Sequence, residues 1–254
     1  MAQDEKNHVK DKQLMSKMLY QMVHEHKTVD INGRERQVTG GVSQEEIEFI
    51  KSLIIERKCR TCMETGVAYG ISTVAICEAL SCLGSGCRHY GIDPCQYSEF
   101  NGAALAALKE CGLDRFFEHL DGPSHEMLPK LLDRNVKLDL AFIDGWHTFD
   151  YTLLDVFYAD KMLRPGGILL IHDMDLPSKR KVWGFLKTHR RYKRIEYMAD
   201  KSKFGYLINV FKGLFQAKRS VVKKAILGLI GIDRLLVLEK VENWEPNYNY
   251  FKNF

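Results

Sequence analysis

The chain has 254 residues, is 45% hydrophobic and carries a formal net charge of +4. This length and apolar content suit one folded domain with additions at its ends and exclude an intrinsically disordered chain. The polar first residues lack the apolar segment of a secretory signal, and no apolar run reaches membrane-spanning length, so we expect a cytoplasmic protein with reduced cysteines.

The N-terminal part of the chain predicts helices. Apolar residues at helical spacing between residues 15 and 23, ahead of a turn at Asn32-Gly33, indicate a helical N-terminal arm over residues 1–42. Ser43-Gln44-Glu45-Glu46 is a capping box, and the apolar residues that follow it predict a helix from Ser43 to Arg57.

Short apolar segments then alternate with helical ones. The predicted strands are Arg60–Glu64, His89–Asp93, Phe116–Leu120, Leu138–Asp144 and Ile168–His172, and the predicted helices are Ser72–Leu83, Glu99–Cys111, Glu126–Leu132, Tyr151–Leu163 and Lys179–His189. Nearly continuous apolar strands are typical of a sheet covered by helices on both faces. The fold class predicted is therefore α/β, with a doubly wound, Rossmann-like, mostly parallel sheet.

The end of the sheet is predicted from two further segments. Arg194–Met198 and Phe204–Val210 are joined by a short polar turn, which favours an antiparallel C-terminal strand pair and brings the sheet to seven strands. Residues 43–210 then form the central domain, and residues 211–254 form a C-terminal extension. Within this extension, Phe211–Leu238 has a basic amphipathic pattern, which predicts a helix packed on the domain or, as the alternative, a helix on a membrane surface.

Two local patterns have both a structural and a functional interpretation. Cys59 and Cys62 form a C-x-x-C in the first predicted strand, where residues three apart point to opposite faces, so we expect buried thiols rather than zinc ligands. The stretch from Lys179 to Arg194 holds eight Lys or Arg and no acid. It predicts either an anionic acceptor or partner, or a solvated helix face.

The glycine-rich segment Glu64–Thr73 joins the first strand to a helix, where free amides and the helix dipole favour an anionic group. It differs from the dinucleotide pattern because Ala68 replaces the second glycine and Tyr69 adds bulk. A carboxylate is smaller than a pyrophosphate, and Ser72 and Thr73 offer hydroxyls, so a cofactor that carries an amino acid fits better.

Acidic residues and histidines follow the other strands. Asp93 precedes Pro94 and predicts either a ligand for two ribose hydroxyls or a strand terminator. Similar side chains occur in Asp121–Glu126, Ile143–His147 and Ile171–Asp175. Because parallel strands end at one edge of the sheet, we expect these groups to converge on one crevice.

These motifs resemble a known family. Glu64–Thr73, Asp93 and Leu163–Ile168 resemble the motifs of class I S-adenosylmethionine-dependent methyltransferases, and the likeness covers about Ser43 to Val210. More narrowly, Phe142–His147 and Gly122–His125 resemble the catechol-type and small-molecule or sugar O-methyltransferases, of the methyltransferase domain 24 type.

The resemblance implies S-adenosylmethionine as cofactor and a set of residues that bind it. The implied cofactor-binding residues are Glu64, Gly66, Tyr69, Gly70, Ser72, Asp93, Gly122, Ser124, His125, Asp144 and Trp146. Among them, the glycine segment lines the methionine moiety, Asp93 holds the ribose diol, and Ser124, His125 and Trp146 surround the adenine.

The resemblance also implies catalytic groups. Asp144 and Asp173 match carboxylates that hold a divalent metal, most commonly Mg²⁺, and His147 matches a general base beside Asp144. Catechol-type relatives carry Asn where this chain has Met174, and a thioether is a poor ligand for Mg²⁺. Either His172 or Asp175 completes the metal site, or no metal is bound.

The predicted function is O-methylation of a small hydroxylated acceptor of the sugar, natural-product or phenolic type, with metal assistance as one option. Amine or RNA methylation and a catalytically silent cofactor-binding protein are the alternatives. Nucleic acid is disfavoured because no stacking-aromatic motif accompanies the basic residues. The sequence does not identify the acceptor, and it leaves both a monomer and a homo-oligomer open.

Overall fold

The computed structural model describes residues 15–196 and 234–254. Its strands are β1 (Lys27–Val29), β2 (Glu35–Gln37), β3 (Thr61–Thr65), β4 (Arg88–Ile92), β5 (Phe117–Leu120), β6 (Leu138–Ile143), β7 (Leu163–Ile171), β8 (Tyr192–Ile195) and β9 (Leu236–Lys240). The α-helices are α1 (Lys17–Tyr20), α2 (Gln44–Arg57), α3 (Ile71–Leu83), α4 (Ala103–Glu110), α5 (Ser124–Asp133), α6 (Phe149–Met162) and α7 (Pro177–His189).

The main sheet has seven strands in the order β5-β4-β3-β6-β7-β9-β8. The strands from β5 to β7 run parallel, whereas β9 is antiparallel to both β7 and β8. The strand order reverses at β3, between β4 and β6, and a ligand crevice is expected at that point of a doubly wound sheet. The predicted Rossmann-like fold with an antiparallel C-terminal strand pair is confirmed.

Alternation along the central strands builds two apolar layers. Leu140 and Phe142 pack on one face of the sheet, while Ala141 and Ile143 pack on the other. All four side chains are fully buried, because successive residues of a strand point to opposite faces and helices cover both. Within the described ranges, no helix is both long and apolar enough to cross a bilayer.

The described part of the N-terminal arm, residues 15–42, is helical only as far as Glu25. Helix α1 continues into a π-helical turn, Gln21–Glu25, and then the antiparallel hairpin β1–β2 turns at the predicted Asn32-Gly33. The carboxylate of Asp30 accepts two backbone N–H groups in that turn. The predicted helix is thus confirmed over residues 17–25, and the hairpin adds an element that apolar periodicity does not signal.

The capping box at Ser43 is confirmed. Ser43 Oγ accepts the N–H of Glu46 at 3.3 Å, and Glu46 Oε2 accepts the N–H of Ser43 at 2.7 Å. These bonds satisfy two amides at the start of α2 that have no partner within the helix. They also fix the position of Glu46, whose side chain reaches the site described below.

The closing strands differ from the prediction. β8 pairs with Leu236–Lys240, and the predicted strand Phe204–Val210 lies outside the described residues. The predicted helix over Phe211–Leu238 is wrong for residues 234–238, which form a bend and the start of β9. Its part before residue 234 lies outside the described residues. Val237 packs on one face of the sheet and its two neighbours on the other, so this apolar run has the period of a strand buried on both faces.

The two cysteines of the C-x-x-C do not lie on opposite faces. Cys59 precedes β3, so strand alternation does not apply to it, and both thiols pack in the same apolar layer. Burial raises the pKa of Cys59 to about 12 and also raises that of Cys62. Both side chains are therefore protonated packing groups.

Candidate active site

The glycine-rich turn after β3 depends on two glycines with positive φ. A Cβ at Gly66 would lie 2.4 Å from the backbone oxygen of Asp144, and a Cβ at Gly70 would lie 2.6 Å from Cβ of Ala104. Both distances are too short for carbon, and their φ angles of +86° and +92° disfavour other residues. Because Gly66 has no side chain, the turn can lie directly against the end of β6.

The buried carboxylate of Glu64 ties β3 to the start of α3. Its oxygens accept the hydroxyls of Ser72, at 2.8 Å, and of Thr73, and lie 2.9 Å from Nε2 of His89. Glu64 has no exposed surface. The hydroxyl of Ser72, predicted to line the methionine moiety, is therefore bonded to another residue of the predicted site.

Asp93 closes the same turn from the end of β4. Its Oδ2 accepts the N–H groups of Val67 and Ala68 at 3.0 and 2.7 Å, and its Oδ1 accepts the N–H of Cys95 at 2.7 Å. The bond to Cys95 is typical of an aspartate that terminates a strand. Asp93 also lines the cavity of about 590 Å³ that is described next. Both interpretations of this residue, as a strand terminator and as a ligand for ribose hydroxyls, therefore have structural support.

A cavity of about 590 Å³ lies at the strand ends. Predicted site residues that line it are Gly66, Asp93, Ser124, Asp144, Trp146 and His147. Lining residues that the sequence reasoning missed include Pro94, Cys95, Phe100, Tyr151 and Asp155. Gly122 and His125, which were predicted to bind the cofactor, are not among its lining residues.

A smaller cavity of about 50 Å³ adjoins the glycine turn. Tyr69, Gly70 and Ser72 line it, together with the loop 39–42 from the N-terminal arm. Gly66, Ala68 and Asp144 line both cavities. The predicted methionine-side residues thus face a separate compartment that meets the large cavity at Asp144.

Aromatic side chains form one rim of the large cavity. Trp146 is 66% exposed, and its ring centroid lies 6.4 Å from that of Tyr151. The hydroxyl of Tyr151 lies 3.4 Å from Nδ1 of His125. His125 therefore contacts the rim through Tyr151 without lining the cavity itself.

Asp144, His147 and Asp173 meet where β6 and β7 end. One ligand-type atom from each lies within 4.8 Å of the others, and His147 Nδ1 is 3.9 Å from Asp173 Oδ2. His147 and Asp173 have φ angles of +64° and +56°. Such non-glycine residues cost about 1 to 3 kcal/mol and cluster at functional sites.

His172 lies behind this group and is almost fully buried. Its Nδ1 is 3.1 Å from Asp144 Oδ1 and 3.5 Å from Asp173 Oδ1. Its Nε2 is 3.4 Å from Glu46 Oε1, an ion-pair distance without hydrogen-bond geometry. Burial disfavours the charged ring, but the carboxylates of Asp144 and Glu46 outweigh it and raise the pKa of His172 to about 10.

This pKa predicts a pH-dependent stability. The folded pKa lies above the ordinary value of 6.5, so the stabilisation is fully present below about pH 6.5 and is lost as the pH rises through about 10. We expect the free energy of unfolding to fall more steeply between pH 7 and 9 in the wild type than in His172→Gln. Urea unfolding at several pH values measures this, and parallel curves for the two proteins would contradict it.

Two more cations belong to the cluster. Arg234, which leads into β9, donates from Nη2 to Asp173 Oδ1 at 2.5 Å. Lys179 on α7 is fully buried, and its Nζ has no hydrogen-bond partner. Burial lowers the pKa of Lys179, and the carboxylates of Asp144, Asp173 and Asp155 oppose that effect.

One oxygen of each aspartate is already in contact with a basic side chain. Asp173 Oδ1 accepts Nη2 of Arg234, and Asp144 Oδ1 faces the ring of His172, whereas Oδ2 of Asp173 faces His147. The ligand-type atoms of Asp144, His147 and Asp173 are close enough to hold one metal ion. The side chain of Met174 lies in the apolar core and offers no ligand there. His172, which was suggested as a further ligand, is not a member of that group; it contacts the two aspartates from behind, as residues that orient metal ligands do.

The comparisons with known proteins agree with the fold. Residues 63–174 match the family model described as a methyltransferase domain, and no curated protein matches the chain. A Bacillus cereus O-methyltransferase in complex with SAH aligns with a TM-score of 0.54 and 19% identity, over 61% of this chain and 74% of that one.

Two further solved structures are similar. The O-methyltransferase TomG from Streptomyces achromogenes, involved in tomaymycin synthesis and solved with SAM, gives a TM-score of 0.52 and 17% identity over 79% of this chain and 82% of its own. A putative O-methyltransferase from Klebsiella pneumoniae gives 0.54 and 16%, over 62% and 74%. Residues 63–174 therefore match a methyltransferase domain, and the described part of the chain has the fold of these O-methyltransferase structures, as its motifs predict.

Proposed function

We propose that the chain transfers a methyl group from S-adenosylmethionine to a hydroxyl oxygen of a small acceptor. The observation that carries the proposal is the pair of cavities that meet at Asp144, directly beside the imidazole of His147. The methyltransferase domain supports the reaction class, and the O-methyltransferases of similar fold, solved with SAM or SAH, support the cofactor and the oxygen acceptor.

The large cavity suits the adenosine part of the cofactor. It has room for a nucleoside, an aromatic rim at Trp146 and Tyr151, and the carboxylate of Asp93 for the ribose hydroxyls. The glycine turn offers backbone amides near the smaller cavity for the amino-acid part. Gly122 and His125 are not needed for this arrangement, so we place them outside the direct cofactor contacts.

Asp93 provides a test of this placement. We expect Asp93→Ala to weaken S-adenosylmethionine binding by at least about tenfold, since each lost bond to a charged group is worth about 1.5 to 3 kcal/mol. Asp30→Ala is the matched control, because Asp30 is also buried and accepts two backbone N–H groups but lies away from the cavities. Calorimetry should show lost affinity only for Asp93→Ala, and equal affinity in both variants would remove Asp93 from the cofactor site.

The chain's own residues act on the acceptor. S-adenosylmethionine supplies a methyl group already activated on a sulfonium. Much of the remaining barrier can be lowered by holding the acceptor oxygen in line, which is worth up to roughly 7 to 11 kcal/mol. His147 is half exposed to the cavity and near the carboxylate of Asp173, so it can take the hydroxyl proton at Nδ1 or Nε2. Asp144 shapes the junction between the two cavities.

The charge of the acceptor stays open. Residues 179–194 do not form one basic surface. Arg190 pairs with the buried carboxylate of Asp160 at 2.9 Å and Lys179 is buried, whereas Lys187 is exposed on α7. The stretch thus offers the crevice fewer cations than its composition suggests. A neutral hydroxylated acceptor fits as well as an anionic one.

The alternatives are separated by one assay. Transfer of a labelled methyl group should be measured against panels of sugars, phenols and other hydroxylated molecules, with amines and RNA alongside, and the methylated atom should be identified by mass spectrometry. Label on oxygen is the expected result. Label only on nitrogen or RNA would reassign the acceptor, and tight cofactor binding without any transfer would favour a silent cofactor-binding protein.

A further inference from the structure

The large cavity is lined by two buried polar side chains whose hydrogen bonding is incomplete. Thr65, at the end of β3, and Asp155, on α6, both line the cavity and are each 1% exposed. Within the described part of the chain, neither Thr65 Oγ1 nor Asp155 Oδ1 has a hydrogen-bond partner. Buried polar atoms are nearly always hydrogen-bonded, because an unpaired one is costly. Since both residues border a cavity, a partner from outside the chain can reach them.

Gly145 leaves free space beside these two side chains. A Cβ at Gly145 would lie 3.0 Å from Asp155 Oδ2 and 3.3 Å from Thr65 Oγ1, so a side chain at this position would crowd both polar atoms. Gly145 is not among the glycines with positive φ, so its backbone conformation does not itself require glycine. The missing side chain keeps the carboxyl group of Asp155 open to the cavity, which Gly145 also lines.

Asp155 lies deeper in the cavity than the aromatic rim. Because β6 and β7 are parallel, α6 between them starts at the strand ends and runs back along the sheet. Asp155 is four residues after Tyr151 on this helix, which places it about 6 Å further from the strand ends. A flat ring that packs against Trp146 and Tyr151 at the rim would therefore present one edge to the carboxyl group of Asp155.

The group that reaches Asp155 must be a hydrogen-bond donor, because an ionised carboxylate only accepts. In the adenosine part of S-adenosylmethionine, the donors are the ribose hydroxyls and the 6-amino group of the adenine. The ribose hydroxyls are already placed at Asp93 in the proposed arrangement. The 6-amino group is the donor on the ring, and the ring nitrogens that remain are acceptors. The chemistry of Asp155 therefore matches the amino edge of the base.

We propose that Asp155 accepts a hydrogen bond from the 6-amino group of the cofactor's adenine and thereby selects adenine over a 6-oxopurine. This inference rests on the proposed function, because the adenosine part must occupy the large cavity. In a 6-oxopurine an oxygen replaces the amine, so two acceptors would face each other with no proton between them. A site built to bond one polar group discriminates strongly against an analogue that lacks it. Asp155 is in this role a specificity residue and takes no part in methyl transfer.

The test compares two ligands that differ only at this position of the base. S-adenosylhomocysteine carries the 6-amino group and S-inosylhomocysteine carries a 6-oxo group. By calorimetry at pH 8, we expect the wild type to bind S-adenosylhomocysteine at least about tenfold more tightly. Asp155→Leu, of similar size but without an acceptor, should bring the two affinities to within about threefold of each other.

A second variant decides the question if Asp155→Leu does not fold. Asp155→Asn keeps the size of the side chain, and its amide can donate to a 6-oxo group, so it should bind S-inosylhomocysteine more tightly than the wild type does. A merely structural role of Asp155 predicts no such gain. Thr152→Val is the control, because Thr152 is also buried on α6 with an unpartnered hydroxyl but is not among the lining residues of the cavity; its preference should equal that of the wild type.

The outcomes separate this inference from the proposed function. Equal affinity of the wild type for the two ligands, or a wild-type preference retained in the folded Asp155 variants, would overturn the role of Asp155 and leave the proposed function intact. A wild type that binds neither ligand would overturn both. Binding alone is measured, so the result does not depend on the identity of the methyl acceptor.

Discussion

Replacing His147 with asparagine is expected to lower kcat by about 10² to 10⁴-fold, the usual contribution of a general base. Asparagine is chosen because His147 has a φ of +64°, and Asn tolerates this left-handed conformation better than alanine. The loop also keeps its anchor, since Ser178 Oγ donates to the backbone oxygen of His147 at 2.7 Å. The affinity for S-adenosylmethionine, measured by calorimetry, should stay within a few-fold of the wild type.

A matched control exists in the N-terminal arm. His26 is exposed, has a φ of 55° and lies before β1, so His26→Asn makes the same chemical change in the same backbone conformation. It should leave kcat unchanged. If His147→Asn retains most of its turnover, or loses cofactor affinity in proportion to turnover, His147 is not the base.

The sheet and its helices could be predicted because their signals are local. Apolar runs mark strands such as β6, and the capping box at Ser43 sets the start of α2 to within one residue. The glycine turn and Asp93 could be placed together because parallel strands end at one edge of the sheet. These inferences need only periodicity, turn chemistry and one topological rule.

Other parts of the site come from pairings between distant segments. Arg234 is 61 residues from Asp173 in sequence, and no local pattern links them. The position of β9 between β7 and β8 likewise joins segments that are far apart in sequence, and the side chains from Leu236 to Leu238 alternate between the two apolar layers. Composition also cannot tell that Lys179 points inward while Lys187 stays in solvent.

Cavity residues on helices were missed for a similar reason. Tyr151 and Asp155 are one helical turn apart on α6 and both face the large cavity, but the same spacing is common on any helix packed against a sheet. Asp155 is buried, and burial raises the pKa of its carboxyl. The spacing of Tyr151 and Asp155 identifies them as cavity residues only when the positions of the strand ends are known.

Replacing Gly66 with alanine is expected to cost about 3 kcal/mol or more in the free energy of unfolding and to weaken cofactor binding by more than about tenfold. Part of the cost comes from the left-handed φ of +86°, which is worth about 1 to 2 kcal/mol for an L-residue. The rest comes from the new Cβ, which would lie 2.4 Å from the backbone oxygen of Asp144. That oxygen cannot rotate away as a flexible side chain could, so β3 and β6 must separate at their ends, where the two cavities meet.

Gly33→Ala isolates the two contributions. Gly33 has a φ of +73°, but no atom lies within 4 Å of the position that a Cβ would take there, so this variant should lose only the cost of the backbone conformation. Urea unfolding gives the free energies of unfolding, and calorimetry gives the affinity for S-adenosylmethionine. We expect Gly33→Ala to keep wild-type affinity and to lose less stability than Gly66→Ala by the energy of the contact with Asp144. Equal stability losses in the two variants would show that the close approach of the turn to Asp144 is not what requires glycine at position 66.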